Sequence, residues 1–186
     1  MSGSSLVLPG ATSLVPASVV TSLPTTPPNG TEVYYQAGSG DTAVLWHLKY
    51  DSTITDSYKW RFLGGAPLTA NVDADQSTAS GSYVDLSTVG PSVTAPLAGI
   101  YEAIIRTSLY TGGSGSARTV LSIAGAAQAD DTGIEMSSGA VADSRSGYYN
   151  SVTCAASDTV KMVYGAASTT AHFRLRRIRL IPIRVG

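Results

Sequence analysis

The stretch GIYEAIIRTSLY (99–110) predicts one long β-strand, and HFRLRRIRLIPIRV (172–185) predicts another. Both are rich in aromatic and β-branched residues, which fit a pleated, half-buried surface. In the first stretch, apolar residues fall on both faces near the middle, from Ala103 to Ile105. A strand with this pattern is covered on both sides, so we expect it to lie inside a layered β structure.

The second stretch changes phase along its length. Phe173 and Leu175 fall at odd positions, whereas Ile178 and Leu180 fall at even positions. One extra residue in a strand reverses the side to which every later side chain points, so we predict a β-bulge around Arg176 and Arg177. Alternatively, the strand passes from a segment covered by its own sheet to one covered by a neighbouring subunit.

Shorter strand candidates recur between turns that are rich in Gly and Ser. They are residues 83–86, 92–95, 117–124, 133–136, 148–154 and 159–165. No stretch shows a convincing helical period. Residues 69–82 carry little apolar periodicity and predict a connector. We therefore expect an all-β fold in which residues 71–186 form a jelly-roll-like β-sandwich.

Residues 32–70 predict a small antiparallel meander that precedes the sandwich. Strand patterns at 32–36, 43–50 and 58–62 are separated by turn signals. Its candidate ligand-binding or packing aromatics are Tyr34, Trp46, Tyr50, Tyr58 and Trp60. Exposed aromatic rings suit sugar stacking, but a short meander also needs aromatic side chains as its core. We favour the core interpretation and keep the ligand platform as the alternative.

Residues 1–31 predict an extended N-terminal arm. The first charged residue of the chain is Glu32, and several prolines before it disfavour helix and central-strand pairing. The apolar residues that we assign to an assembly contact are Leu6, Leu8, Leu14, Val15, Val19, Val20 and Leu23. We expect this arm to lie along another subunit, and a plain flexible leader is the alternative.

The densest charge of the chain lies in the last predicted strand. Arg174, Arg176, Arg177 and Arg179 form a candidate intersubunit charge cluster. Their spacing places guanidinium groups on both faces of a strand. We expect them to pair with acids such as Asp130, Asp131, Glu135 or Asp143, within or between subunits. Binding of an anion or a polysaccharide is the alternative.

Composition argues against several functional classes. Twelve basic and 13 acidic residues give a net charge of −1, so no basic excess predicts nucleic-acid binding. No apolar run reaches the ~18 residues of a membrane-spanning helix. The single cysteine, Cys154, and the isolated His47 and His172 predict neither a metal site nor a cofactor. No G-x-S-x-G nucleophile motif is present, and we predict that the chain is not an enzyme.

The run from Leu23 to Leu68 resembles a segment that recurs in tailed-bacteriophage virion proteins of the minor tail or fibre-like kind. In that pattern a proline-rich lead enters a "dGxEvyy" strand, followed by "WhlrY" and "YkWeFvGgpPL". The matching residues here are Gly30, Glu32, Val33, Tyr34, Trp46, Leu48, Tyr50, Tyr58, Trp60, Phe62, Gly64, Gly65, Pro67 and Leu68. The remainder, from about Val72 to Val185, is similar to the β-sandwich that commonly follows.

The resemblance implies a structural protein located in the virion, on the tail or the capsid surface. By analogy with jelly rolls that pack as trimers, it implies a homotrimer, attached to other virion proteins through its arm. The sandwich would then be presented for host-surface contact, with surface polysaccharide as a further partner. A capsid decoration protein or head fibre is one alternative, and a stand-alone carbohydrate-binding module is another. The chain has no heptad repeat or long shaft, which favours a compact knob.

Overall fold

The computed structural model describes residues 18–39, 43–129, 133–137 and 143–186. Within these ranges the chain forms fourteen β-strands and no helix. A helix that is long and apolar enough to cross a membrane is therefore not found among the described residues. The strands are β1 (Ser18–Val20), β2 (Glu32–Ala37), β3 (Val44–Tyr50), β4 (Trp60–Gly65), β5 (Leu68–Val72), β6 (Gln76–Thr78), β7 (Ser92–Thr94), β8 (Gly99–Thr111), β9 (Ser116–Ile123), β10 (Ala126–Ala127), β11 (Ile134–Ser137), β12 (Asp143–Cys154), β13 (Thr159–Ala167) and β14 (Ala171–Val185).

The strands form two sheets. The larger, nine-stranded sheet has the order β1-β2-β3-β4-β14-β8-β12, with β5 and β6 also paired to β14. The smaller, five-stranded sheet has the order β10-β9-β13-β7, with β11 also paired to β9. This arrangement confirms the predicted all-β class and is consistent with a β-sandwich, while the jelly-roll order and the trimer stay predictions.

Buried side chains from both sheets form the core of the fold. Tyr101 on β8 and Phe173 on β14 represent the larger sheet, and Leu121 on β9 and Met162 on β13 represent the smaller; all four are fully buried. The ring of Tyr164 on β13 lies 4.9 Å from that of Phe173, across the two sheets. Each such side chain contributes about 1.5–3 kcal/mol when it is fully buried, so this layer holds the sheets together.

Strand β14 is the central element of the larger sheet. It pairs antiparallel with β8 along one edge, from Ala171 to Val185. Along its other edge it pairs in succession with β6, β5 and β4. The two long stretches that the sequence singles out are therefore neighbours within one sheet. Along β8 the side chains at odd positions are buried, whereas most of those at even positions are half-buried or exposed. The expectation that this strand is covered on both faces is therefore wrong, because only one face of the larger sheet lies on the core.

The β-bulge predicted around Arg176 and Arg177 is confirmed. The register of β14 against β8 shifts between Arg174 and Arg177. The inward position that the odd phase predicts for Leu175 is wrong, because Leu175 adopts a φ of 50° and is 47% exposed, whereas Arg176 is fully buried. The extra residue thus turns Arg176 inward and returns Arg177 to the outer face.

The predicted connector at residues 69–82 is wrong. Leu68–Val72 and Gln76–Thr78 are strands that pair with β14. In β5 the half-buried Leu68, Ala70 and Val72 alternate with exposed Thr69 and Asn71, but this alternation spans only five residues, and β6 has no apolar side chain at all. The backbone ladder to β14 defines these strands, and a ladder leaves no signal in side-chain hydropathy.

The meander of residues 32–70 is antiparallel as predicted, and it continues the larger sheet. Strand β4 pairs with β14 at Arg61–Arg184 and Trp60–Val185. On the far side, β1 adds in parallel to β2, which makes β1 the strand at one edge of the larger sheet, with β12 at the other edge. The limits of the three predicted domains stay predictions, but the aromatic segment and the sandwich share one sheet.

Two adjacent glycines at the end of β4 differ in what an added methyl group meets. The Cβ of an alanine at Gly65 would overlap the backbone oxygen of Leu45, and the φ of 132° at Gly65 disfavours any other residue. At Gly64 the same Cβ meets open space. We expect Gly65→Ala to lower the free energy of unfolding by about 1–3 kcal/mol and Gly64→Ala to change it little. Chemical denaturation of both variants measures this difference, and equal midpoints contradict it.

Candidate functional site

The aromatic residues of the meander mostly form a core. Trp46 and Trp60 are 0% and 2% exposed, and the Trp46 indole nitrogen donates a hydrogen bond to Ala66 O at 2.8 Å. The ring of Tyr50, also buried, meets that of Trp60 edge-on at 5.3 Å. These three side chains present no face for a sugar ring, so the alternative of a tryptophan ligand platform is wrong, and the packing interpretation fits. Tyr58 is half-buried.

Each histidine lies against a tyrosine of a neighbouring strand. The ring of Tyr34 stacks on that of His47 at 4.8 Å, and His47 Nε2 lies 3.0 Å from a carboxylate oxygen of Glu32. The ring of His172 stacks on that of Tyr110 at 4.4 Å. Both histidines therefore have structural partners on the outer face of the larger sheet.

Tyr110, in turn, donates a hydrogen bond to Asp75 at 3.0 Å, and His172 Nδ1 lies 3.6 Å from the other oxygen of that carboxylate. Desolvation and the hydrogen bond to Asp75 raise the pKa of Tyr110. Among the described residues, no group of three His, Cys, Asp or Glu side chains is placed to hold a metal ion.

Cys154 is fully buried in the core. Burial, reinforced by the charge of Asp158, raises the pKa of its thiol to about 11. The thiol is therefore protonated at neutral pH and behaves as a small apolar group.

The assembly arm is described only from Ser18 onward. Leu6, Leu8, Leu14 and Val15 lie outside the described residues. Val20 and Leu23 pack against the core of their own chain, which corrects the expectation that a neighbouring subunit covers them. Val19 is 60% exposed and stays a candidate for an assembly contact.

Arg176 does not belong to a surface cluster. Its guanidinium donates hydrogen bonds to Gly90 O at 3.1 Å, to Thr88 O at 3.3 Å and to Gln76 Oε1 at 2.8 Å. It also lies 5.4 Å from the centre of the Tyr164 ring, a cation–π distance. The intersubunit role predicted for Arg176 is wrong, because the β-bulge turns this side chain into the sandwich of its own chain.

None of the acids expected to pair with the arginine cluster does so among the described residues, where Glu135 forms no ion pair. Arg177 forms an ion pair with Asp73. Asp143 pairs with Arg145 at 2.9 Å, and Asp130 and Asp131 fall outside the described ranges. The side chain that Arg177 meets therefore comes from the loop between β5 and β6, a segment that the sequence did not implicate.

The remaining arginines lie on the outer face of the larger sheet. Arg174 and Arg179 are exposed, as is Arg106 on β8. Within the described ranges, none of the three forms an ion pair with a carboxylate. Sequence reasoning missed Arg106 because it is far from β14 in the chain, but its register partner is Arg177.

A groove of about 370 Å³ opens between these side chains. Arg106, Arg177 and Arg179 line it together with Thr69, Asn71 and Ile104, among others. A second depression of about 200 Å³ continues from it and is lined by Arg106, Ser144, Leu175 and Arg177. The structure thus gathers three guanidinium groups around one open groove, which we call the arginine groove.

No protein-family model matches the chain, and no curated protein matches it. Among solved structures, one of infectious bursal disease virus, Gx strain, is similar to it at a TM-score of 0.30 and 9% identity. The match covers 78% of this chain and 48% of the other, so the chain spans about half the length of that structure. A likeness of this size carries no argument about function.

Proposed function

We propose that the chain is a non-enzymatic structural protein of a bacteriophage virion. In this proposal it is a minor tail or short-fibre protein that forms a homotrimer. Its N-terminal arm attaches it to other virion proteins, and its sandwich is presented for contact with the host surface. The proposal extends the resemblance of residues 23–68 to tailed-phage virion proteins.

The observation that carries the attachment step is the position of β1. This three-residue strand lies at one edge of the larger sheet, and Val19 at its centre is 60% exposed. An edge strand presents unpaired N–H and C=O groups to which a strand of another protein can add. Residues 1–17 precede β1 directly in the chain, so the arm leads in sequence into this edge strand.

The second support is the continuity of the sheet. The segment with the phage-like pattern forms β2, β3 and β4, and β4 joins the sandwich through β14. A load on the arm is therefore passed to the sandwich through a hydrogen-bonded ladder. This suits a protein that holds a compact domain on a particle.

We expect Val19→Ser to reduce incorporation of the chain into virions. Burial of one valine side chain contributes about 1.5 kcal/mol, which corresponds to an association weaker by roughly tenfold. Quantitative immunoblotting of purified particles measures the change. Val89→Ser is the matched control, because Val89 is 56% exposed outside β1. Equal incorporation of both variants contradicts attachment through β1.

Sedimentation of the purified chain tests the trimer, and a monomer at all concentrations contradicts it.

Gold-labelled antibodies against the chain locate it on the particle. Label on the tail supports the proposal, whereas label over the head shell favours a decoration protein or head fibre and contradicts the tail assignment. Absence of the chain from purified particles contradicts any virion role.

A further inference from the structure

We propose that the arginine groove is a binding site for an acidic polysaccharide, whose carboxylate groups pair with Arg106 and Arg179. The inference rests on the outer face of the larger sheet alone. It does not depend on a virion role for the chain. The argument starts from the way in which the fold places the guanidinium groups.

Strand register brings the three charges together. Arg106 on β8 and Arg177 on β14 are directly paired, and Arg179 follows two residues along on the same face. Directly opposed residues of antiparallel strands have Cα atoms ~4.5–5.5 Å apart, and the next residue on the same face is roughly 7 Å away. Like charges placed this way destabilise a sheet. An anion held between them removes that repulsion.

One carboxylate already contacts an arginine of the groove: Asp73 pairs with Arg177. Three guanidinium groups thus meet one carboxylate, and Arg106 and Arg179 have no acidic partner among the described residues. Glu102, the nearest acid along β8, hydrogen-bonds to Tyr148 instead. The groove therefore keeps an excess of positive charge that a ligand can neutralise.

The other carboxylates that the structure describes do not pair with Arg106 or Arg179. Most of the described carboxylates pair with cations of their own subunit. These pairs are Glu32–Lys49, Asp51–Arg61, Asp56–Arg184, Asp73–Arg177, Asp85–Lys161 and Asp143–Arg145. Among residues 18–39, 43–129, 133–137 and 143–186, a second copy of the chain therefore offers few free acids, so charge complementarity favours an external anionic ligand.

The uncharged lining distinguishes a polysaccharide from other polyanions. Thr69, Asn71 and Ser144 supply hydroxyl and amide groups that can pair with sugar hydroxyls, and Ile104 supplies an apolar surface. A volume of about 370 Å³ lies within the usual range for a small-ligand site. The groove lies on the face of a sheet and not at its edge, so an acidic peptide cannot bind there by adding a strand.

The backbone at the rim of the groove is strained. Leu175 adopts a φ of 50°, which a branched side chain rarely does, and it is 47% exposed beside Arg106 and Arg177. Strain of this kind costs about 1–3 kcal/mol and is concentrated at functional sites. The strained backbone of Leu175 places its apolar side chain at the mouth of the arginine groove.

Isothermal titration with oligogalacturonate at about 0.1 M salt tests the site, because exposed charges more than ~10 Å apart are largely screened under these conditions. Neutral dextran oligomers are the ligand control. We expect binding of oligogalacturonate and none of dextran. The double variant Arg106→Gln/Arg179→Gln is expected to weaken binding by about tenfold or more, because it removes charged hydrogen bonds.

The matched control is Arg61→Gln/Arg145→Gln. It removes the same charge from two exposed arginines of the same sheet, each of which has a carboxylate partner. We expect it to change affinity by less than about twofold. Equal losses in both double variants overturn the proposal, since they indicate a diffuse charge effect. Failure of the native chain to bind oligogalacturonate overturns it as well.

A single substitution that keeps the charge provides a second test, which does not depend on the folding of the double variant. Arg179→Lys keeps the positive charge but loses the planar guanidinium fork. We therefore expect its affinity to lie between that of the native chain and that of Arg106→Gln/Arg179→Gln. An unchanged affinity contradicts the role of Arg179. Tighter binding of polyglutamate than of oligogalacturonate makes the occupant an acidic peptide and overturns the polysaccharide assignment.

Discussion

Replacement of Arg176 by alanine is expected to lower the free energy of unfolding by about 3–4 kcal/mol, since it opens a cavity and removes three hydrogen bonds. The side chain is fully buried, and it ties the bulge of β14 to Gln76, Thr88 and Gly90. Gly90 O also accepts a hydrogen bond from the Tyr164 hydroxyl at 2.9 Å. One cation thus joins the bulge to the loop before β7. Chemical denaturation measures the loss.

Two variants separate the causes of that loss. Arg176→Met keeps most of the volume, so we expect a smaller loss of about 1–2 kcal/mol from the acceptors left unpaired. Arg174→Ala removes an exposed arginine from the same strand and is expected to stay within about 0.5 kcal/mol of the native chain. Equal destabilisation by Arg176→Ala and Arg174→Ala contradicts the burial of Arg176.

Trp46→Ala is expected to lower the free energy of unfolding by about 3–5 kcal/mol, the usual cost of truncating a buried tryptophan. The indole is fully buried, and its ring meets those of Phe62 and Tyr101 edge-on at 6.3 Å and 6.4 Å. Because Tyr101 belongs to β8, this contact joins the meander to the sandwich. Differential scanning calorimetry measures the loss together with the number of transitions.

Trp46→Phe is the control for the hydrogen bond. It keeps an aromatic ring in the core but leaves Ala66 O without its indole donor, so we expect a loss of about 1–2 kcal/mol. We expect one transition in both variants, since the meander and the sandwich share a sheet. A separate early transition for the meander contradicts this coupling.

The strands whose apolar side chains recur at a regular spacing could be predicted from the sequence. The sequence predicts the strands at Gly99–Thr111 and Ala171–Val185 almost to their ends, because apolar residues mark them throughout. The bulge was recognised from one reversal of phase. Strand β12, however, begins at Asp143, five residues before the predicted start at Tyr148, since its first four side chains are exposed and polar.

The face of the sheet to which each arginine side chain points could not be predicted. A bulge shows that the phase changes, but it does not say which of Arg174, Arg176 and Arg177 turns inward. The pairing of Arg106 with Arg177 depends on strand register between distant segments, which one sequence does not reveal. The arginine groove is therefore a product of topology, and its composition is invisible until β8 and β14 are placed side by side.

The central position of β14 also constrains how the chain is made. Every strand that β14 joins in the larger sheet precedes it in the sequence. On the ribosome, β4, β5, β6 and β8 are therefore synthesised before the one segment that links them exists. Pairings this distant along the chain form slowly, because a long loop must close before they contribute stability. Until translation reaches β14, the nascent polypeptide holds two unjoined portions of a sheet, β1 to β4 and β8 with β12, and the two single strands β5 and β6. Insertion of β14 is the step that joins all four.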